Sequence, residues 1–583
     1  MEHLVPTSLA SWSALGVGSL ATIWLGVKTA SRLELSSAKH RSLAGHSQMS
    51  RRLARLVPAV SYDEERFFNC DNAPDDIVAR RRAGFDRLAR AFRERLPEGR
   101  ALKARIASHI SDVQFTDRYR VPFPFSRYVR ERLDVGAFVT ATDGQTTTDV
   151  DGNQAEDLTG SYGVNVFGYE FYKDCLAQAH ADTKSLGPVL GPYHPSIVDN
   201  VERLATISGL PEISFHMSGT EAVMQAVRLA RYHTGRRRLV RFCGAYHGWN
   251  GEVAPGVGNP SHARDTFTLE DMSEATLSVL RHRKDIACVL VNPLQALHPN
   301  SSAPSDSMLI SSARAVRFDR EAYTRWLQRL RQVCTERNIV LIFDEIFVGF
   351  RLAKGGAQEY FGVQADMVTY GKTLGGGLPV GVLCGRADLM RRFREDQPTN
   401  VCFARGTFNS HPMVMAAMNA FLHRIDNSET DALYASQDDT WNRRAAELND
   451  ALLDANVPIR VANLTSIWTV YYTQPSRYAW MFQYYLREQG LAVSWIGSGR
   501  LIFSLDCSDT AFANIRDRFV AAATTMQADG FWWHDGMTTN RAIRRGFMRE
   551  LLERKFKGQP AQDVKLESAG SESSVRQQPA RPA

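Results

Sequence analysis

A lysine and an aspartate stand in fixed relation near the middle of this chain. Ile339-Val340-Leu341-Ile342-Phe343 is an unbroken apolar run that ends in Asp344 and Glu345. Such a run reads as a parallel strand buried on both faces, carrying an acid at its C-terminal end. In open α/β sheets that edge is where ligands bind. A second strand-like run, Asp366 to Tyr370, leads into Gly371-Lys372-Thr373-Leu374-Gly375-Gly376-Gly377, one lysine in an otherwise uncharged, glycine-rich loop. A lysine among apolar neighbours has a lowered pKa, and its neutral amine condenses with carbonyls. A nearby acid keeps a pyridine nitrogen protonated, so that the ring accepts electrons from a carbanion. The pair points to pyridoxal phosphate chemistry. An ordinary buried ion pair between two strand ends is the alternative these two motifs leave open.

Elements that would position such a cofactor lie upstream. Ser214 to Met217 reads as a short strand running into Ser218-Gly219-Thr220-Glu221-Ala222. A helix pattern follows, with Ala222, Val223, Ala226, Val227 and Ala230 on one face and Gly235 as its stop. Ser218 or Thr220 can cap that helix, and Gly219 lets the backbone approach a ligand. Free amides and the helix dipole then suit a phosphate, although a plain cap has the same sequence. A basic strand, Arg238 to Phe242, ends in Gly244-Ala245-Tyr246-His247-Gly248. An aromatic there can stack on a pyridine ring or simply pack in a core.

These segments, in this order, resemble the class III aminotransferases of the type I pyridoxal phosphate fold. The likeness is strongest to the glutamate-1-semialdehyde aminomutase branch and to aminotransferase domains of polyketide and peptide assembly lines. It is carried by Ser218 to Val223, Tyr246-His247-Gly248, Phe343-Asp344-Glu345 with Gly349-Phe350-Arg351, Gly356 to Val363, Gly371-Lys372, Gly375 to Gly381 and Gly406-Thr407-Phe408. It spans roughly residues 120–535. By that resemblance Lys372 bonds the cofactor covalently and then moves a proton, Asp344 faces the pyridine nitrogen, and Tyr246 stacks on the ring. Ser218, Gly219 and Thr220 form the phosphate cup. Thr407 reaches the phosphate from a neighbouring subunit, which implies a homodimer with shared sites. Gln295 matches a glutamine that bonds the ring oxygen, and Glu345 lies near that oxygen or behind it.

Three departures qualify the likeness. Asn292 stands where the family usually has glutamate. His298-Pro299-Asn300 and the serine-rich run to Ser312 lengthen a segment that is short in the aminomutase, which is closer to the assembly-line domains. Pro124-Phe125-Ser126-Arg127-Tyr128 matches only loosely the segment carrying a carboxylate-binding arginine, so Arg127 is either that residue or a surface arginine.

Composition bounds the rest. The chain has 583 residues, 44% of them hydrophobic, enough for two or more cores. Its eight cysteines are scattered with no CxxC pair, so neither disulfides nor a zinc site is expected, and a reducing cytoplasm follows. A net charge of +7, spread along the chain, does not argue for nucleic acid. Residues 8–27 carry no charge over about a bilayer span, and Lys28, Arg32, Lys39 and Arg41 follow. They read as a membrane anchor that leaves the enzyme cytoplasmic, with a packed or interfacial helix as the alternative.

The expected organisation is an anchor over 1–37, a helical extension over 38–119 and a large cofactor domain over 185–440. A smaller α+β domain combines 120–184 with 441–535, and a basic helix over 536–557 precedes a disordered tail over 558–583. In the extension, residues 77–96 form an amphipathic helix with Val78, Phe85, Leu88 and Phe92 on one face, read as a spacer, a dimer arm or a docking surface for a carrier protein. Asp149-Val150-Asp151-Gly152-Asn153 makes a hairpin turn. The C-terminal basic helix carries Ile543, Phe547, Leu551 and Leu552 as its apolar stripe. The function expected is amino transfer from an amino acid to an aldehyde or ketone, with a lipid-like acceptor or one bound to an acyl carrier protein among the candidates. Glutamate-1-semialdehyde 2,1-aminomutase and a membrane-tethered dead scaffold are the alternatives. Retention of Lys372, Asp344, Tyr246 and Thr407 together argues against the scaffold.

Overall fold

A computed structural model describes residues 24–136, 138–261, 263–297, 318–494 and 499–557. Three short strands come first: β1 (Val139–Asp143), β2 (Thr146–Asp149) and β3 (Gln154–Asp157). β2 and β3 pair antiparallel around the expected Asp149–Asn153 turn, where Gly152 takes φ +81°. Asp143-Gly144-Gln145 makes a second hairpin between β1 and β2 by the same Asp-Gly chemistry.

The central sheet uses β4 (Glu212–His216), β5 (Arg238–Phe242), β6 (Thr266–Leu269), β7 (Ile286–Val291), β8 (Val340–Asp344), β9 (Met367–Gly371) and β10 (Gly381–Gly385). Their order is β4-β10-β9-β8-β7-β5-β6. β10 runs antiparallel to both neighbours, and the other pairs are parallel. β7 and β8 are buried along their whole length, as their unbroken apolar sequences require. Their side chains still alternate between two cores: Leu341 and Phe343 pack on one face of the sheet, Val340 and Ile342 on the other. The Gly219–Thr234 helix covers the second face with Val223, Ala226, Val227 and Ala230.

A 27-residue helix, Ser428–Asp454, capped by Asn427, leads out of this unit and contains the expected 440/441 boundary. β11 (Ile459–Leu464), β12 (Ile467–Tyr472) and β14 (Arg500–Ile502) form an antiparallel sheet. β13 (Leu491–Ala492) instead adds parallel to β3, joining the two expected halves of the smaller domain.

The extension is no free spacer. The Asp75–Arg95 helix buries Ile77, Phe85, Leu88 and Phe92, while Val78 is only half-buried. Arg81 on the same face is fully buried, bidentate to Asp71 at 2.7 Å and donating to Gly530 O at 2.9 Å. The Asn540–Lys557 helix likewise docks: Phe547 meets Phe123, Leu551 is buried, and Glu550 accepts from Arg477 at 2.9 Å and Arg66 at 2.7 Å. Leu552, expected in the stripe, is exposed.

Most of the expected span over 8–27 lies outside the described residues. Residues 24–37 are helical, but Lys28, Arg32 and Glu34 interrupt them, and no helix among the described residues is long and apolar enough to cross a membrane. Polar contacts dock this helix instead: Ser278 Oγ donates to Glu34 at 2.6 Å, and Arg283 reaches Ser31 at 3.1 Å. The 298–312 segment and the 558–583 tail also lie outside the described residues. All eight cysteines are buried free thiols.

Candidate active site

The C-terminal ends of five strands meet at one sheet edge. β8 supplies Asp344, and Lys372 follows β9 directly. The turns after β4, β5 and β7 carry Ser218–Thr220, Tyr246–Gly248 and Asn292–Gln295. Strand direction and order therefore bring together segments far apart in sequence.

Asp344 is buried and tightly held. His247, also buried, places Nδ1 2.7 Å from Asp344 Oδ2, while the Ile346 amide donates to Oδ1 at 3.2 Å. Burial holds the imidazole below its usual pKa despite the acid beside it; a neutral imidazole whose Nδ1 faces a carboxylate donates from that nitrogen. His247 Nε2 is buried without a partner. The ring crosses from the turn after β5 to β8, two strands away.

Lys372 is half-buried and begins the 3₁₀ turn Lys372–Gly375 at φ +49°. Its Nζ donates to Tyr162 O at 2.6 Å and lies 5.5 Å from the Phe347 ring centre. Burial pushes the amine down to about 8, against the opposing pull of Asp344 and with help from Arg351. Ser161 and Tyr162 also take positive φ, +45° and +57°. Strained residues thus cluster around the amine. Gly163, at φ +90°, lets this turn approach: a Cβ there would lie 2.6 Å from the Phe347 ring.

Ser218 caps the Gly219–Thr234 helix through Glu221 N at 3.3 Å, leaving the first-turn amides without intrahelical acceptors. A Cβ on Gly219 would meet Ile346 at 2.8 Å, so only glycine fits. Thr220 is buried against Gly248. Tyr246 presents a ring that is 63% exposed, and its hydroxyl is raised by burial and then by the charge of Asp344. Asn292 donates to Tyr246 O at 2.9 Å and accepts from Leu294 N at 3.2 Å. A glutamate there could not make the first of these bonds. Gln295 is buried, donates to Cys243 O at 2.7 Å, and keeps Oε1 unbonded.

Three residues stand apart. Glu345 turns to the amides of Ala357 and Gln358, at 2.6 and 3.2 Å, and burial raises its carboxyl to about 8. Arg127 is exposed and pairs with Glu131 at 3.2 Å, a surface i,i+4 contact. Thr407 is exposed and makes no hydrogen bond among the described residues.

Arg351 carries no sequence-read role yet is central. Fully buried, it donates to Ser466 Oγ at 3.0 Å, Phe503 O at 2.6 Å and Asn165 O at 2.8 Å, tying the loop after β8 to both halves of the smaller domain. Its place in Gly349-Phe350-Arg351 was the available signal, as Tyr246-His247-Gly248 was for His247. Tyr162 acts through its carbonyl, which no residue type reveals.

The centre fits a planar aromatic aldehyde phosphate. It offers an amine of lowered pKa, a buried acid, an exposed ring, a buried amide with one free end and a glycine-opened helix N-terminus.

Comparison with known proteins agrees. The profile of the family described as Aminotransferase class-III matches residues 128–522. The glutamate-1-semialdehyde 2,1-aminomutase of Methanocaldococcus jannaschii is 32% identical over 372 residues, 61% of this chain and 78% of that protein. The protein of the same name from Nitratidesulfovibrio vulgaris is 34% identical over 352 residues, 58% of this chain and 76% of that one. Among solved structures, a glutamate-1-semialdehyde aminomutase from Pseudomonas aeruginosa aligns with TM-score 0.61 at 20% identity, covering 77% of this chain and 99% of its own. A transaminase with PLP bound gives TM-score 0.60 at 24% identity, covering 75% and 99%. At these identities the structures speak for the fold.

Proposed function

The chain belongs to the class III aminotransferases, and we propose that it moves an amino group from a donor amino acid to an aldehyde or ketone at a centre built on Lys372 and Asp344. It has the type I pyridoxal phosphate fold and is a pyridoxal-phosphate-dependent transaminase or aminomutase. The observation that carries the residue assignment is the buried His247–Asp344 pair at the same sheet edge as a lysine lowered to about 8.

When bound, the cofactor supplies an electron sink for the carbon bearing the amine. Lys372 would hold it covalently. Asp344 keeps its ring nitrogen protonated, and His247 Nδ1–H holds that carboxylate in place. Tyr246 covers the ring face, Gln295 offers its free amide end, and Ser218, Gly219 and Thr220 offer the phosphate cup. Lys372 Nζ would also take the proton from the substrate carbon next to the amine. Thr407 is assigned to the neighbour's phosphate, making the active form a homodimer; its exposure and its lack of hydrogen bonds among the described residues support this. A lipid-like or carrier-bound acceptor rested on a membrane span and has no counterpart among the described residues.

Glutamate-1-semialdehyde 2,1-aminomutase is the second reading, favoured by the names of the curated relatives. Purified holoenzyme given a ¹⁵N-amino donor and an unlabelled carbonyl acceptor separates the two. Label in the acceptor's product supports amino transfer. Isomerisation of glutamate 1-semialdehyde with no external acceptor, and no label transfer, replaces it with the aminomutase.

A further inference from the structure

Arg120 and Arg487 bring two cations together where no carboxylate among the described residues pairs with either. Arg120 is 8% exposed, and its guanidinium makes no hydrogen bond or ion pair among the described residues. Arg487, on the Phe482–Glu488 helix, donates to Val493 O at 2.7 Å and Ser494 O at 3.0 Å, but its Nε is buried without an acceptor. On the same helix the Tyr484 hydroxyl is buried without a partner among the described residues. Burial and then the charge of Arg120 push Arg487 down to about 9. The acids in charge range of Tyr484 are Asp117 and Asp134, and both are already bound by Lys103. Folded proteins pair their buried charges, so this cluster lacks an anion.

The cluster adjoins the catalytic centre through Tyr162. Its side chain lies within charge range of Arg487, and its carbonyl accepts from Lys372 Nζ at 2.6 Å. Guanidinium forks match carboxylate geometry, and a tyrosine hydroxyl adds a third donor. We propose that Arg120, Arg487 and Tyr484 form a carboxylate-binding subsite that holds an anionic end of the substrate, with Tyr162 between it and Lys372. None of these residues belongs to the motifs from which the catalytic roles were read. The substrate assignment rests on the amino-transfer reading above.

The probe is glutarate, titrated calorimetrically into holoenzyme, with its effect on donor turnover measured alongside. Glutarate is expected to bind and to compete with the donor, and 4-aminobutanoate to outperform 1-aminobutane, which lacks only the carboxylate. Arg120→Gln and Arg487→Gln should each weaken glutarate about tenfold or more and shrink that preference by a similar factor, with cofactor absorbance retained. Where Arg487→Gln does not load cofactor, Tyr484→Phe carries the test, since it removes only the hydroxyl; there glutarate should weaken about threefold. Unchanged affinity in the variants, or glutarate that binds without competing, overturns the subsite. Arginine-dependent glutarate binding without turnover of any donor would count against the amino-transfer reading and leave the anion site standing.

Discussion

Lys372 Nζ stands between opposing pulls: burial lowers it to about 8, and Asp344 acts to raise it. Only the neutral amine attacks a carbonyl. Below pH 8 the neutral fraction falls about tenfold per unit, so cofactor capture by the apoenzyme should quicken by that factor per unit and level off above about 8. Stopped-flow absorbance checks this; a rate still climbing toward 10.5, the ordinary lysine value, would show an unperturbed amine. Asp344→Asn keeps the shape and removes the charge. It should leave folding and cofactor loading intact and cut kcat/KM by about 10²–10³-fold, measured with a fixed donor. Lys372 and Asp344 were legible because a charge in an apolar run announces itself. The Tyr162 carbonyl was not, and the His247–Asp344 contact depends on a strand order that local sequence does not encode.

Helices with clear punctuation read well from sequence. Ser218 and Gly235 mark both ends of the Gly219–Thr234 helix, and the five apolar positions expected on one face, Ala222, Val223, Ala226, Val227 and Ala230, are all buried. β6 and β10 were missed: β6 is four residues long, and β10 is bounded by glycines at both ends. Two substitutions test how elements hold the centre. Gly163→Ala forces a side chain into a positive-φ position and against Phe347. It should cost about 1 kcal/mol or more, read from urea midpoints, and slow cofactor capture by displacing Tyr162 O from Lys372. Arg351→Met leaves Asn165 O and Phe503 O without their donor. A loss of roughly 3 kcal/mol is expected, and the midpoint of the capture profile should move upward because a cation near Lys372 is gone. Unchanged midpoints in both assays would show that Arg351 neither clamps the domains nor bears on the lysine.

At the scale of the whole molecule, the catalytic unit was legible because ordered motifs span it, whereas the additions at its ends were not. Arg81, buried against residue 530, and Glu550, bound to Arg66 and Arg477, are tertiary pairings with no sequence pattern. They turn two apparent appendages into parts of the body. The proposed reach of Thr407 into the neighbouring subunit gives a further test. Mixing Lys372→Ala with Thr407→Glu subunits puts both defects in one site and neither in the other, so verified heterodimers should recover up to about half of the wild-type rate per dimer. No recovery would place Thr407 away from the neighbour's phosphate. The most direct measurement is borohydride reduction of the holoenzyme followed by peptide mass mapping. The account requires a single pyridoxyl adduct on Lys372, absent from Lys372→Ala, which should also fail to convert any donor. An adduct on another lysine, or a Lys372→Ala enzyme that turns over normally, would contradict it.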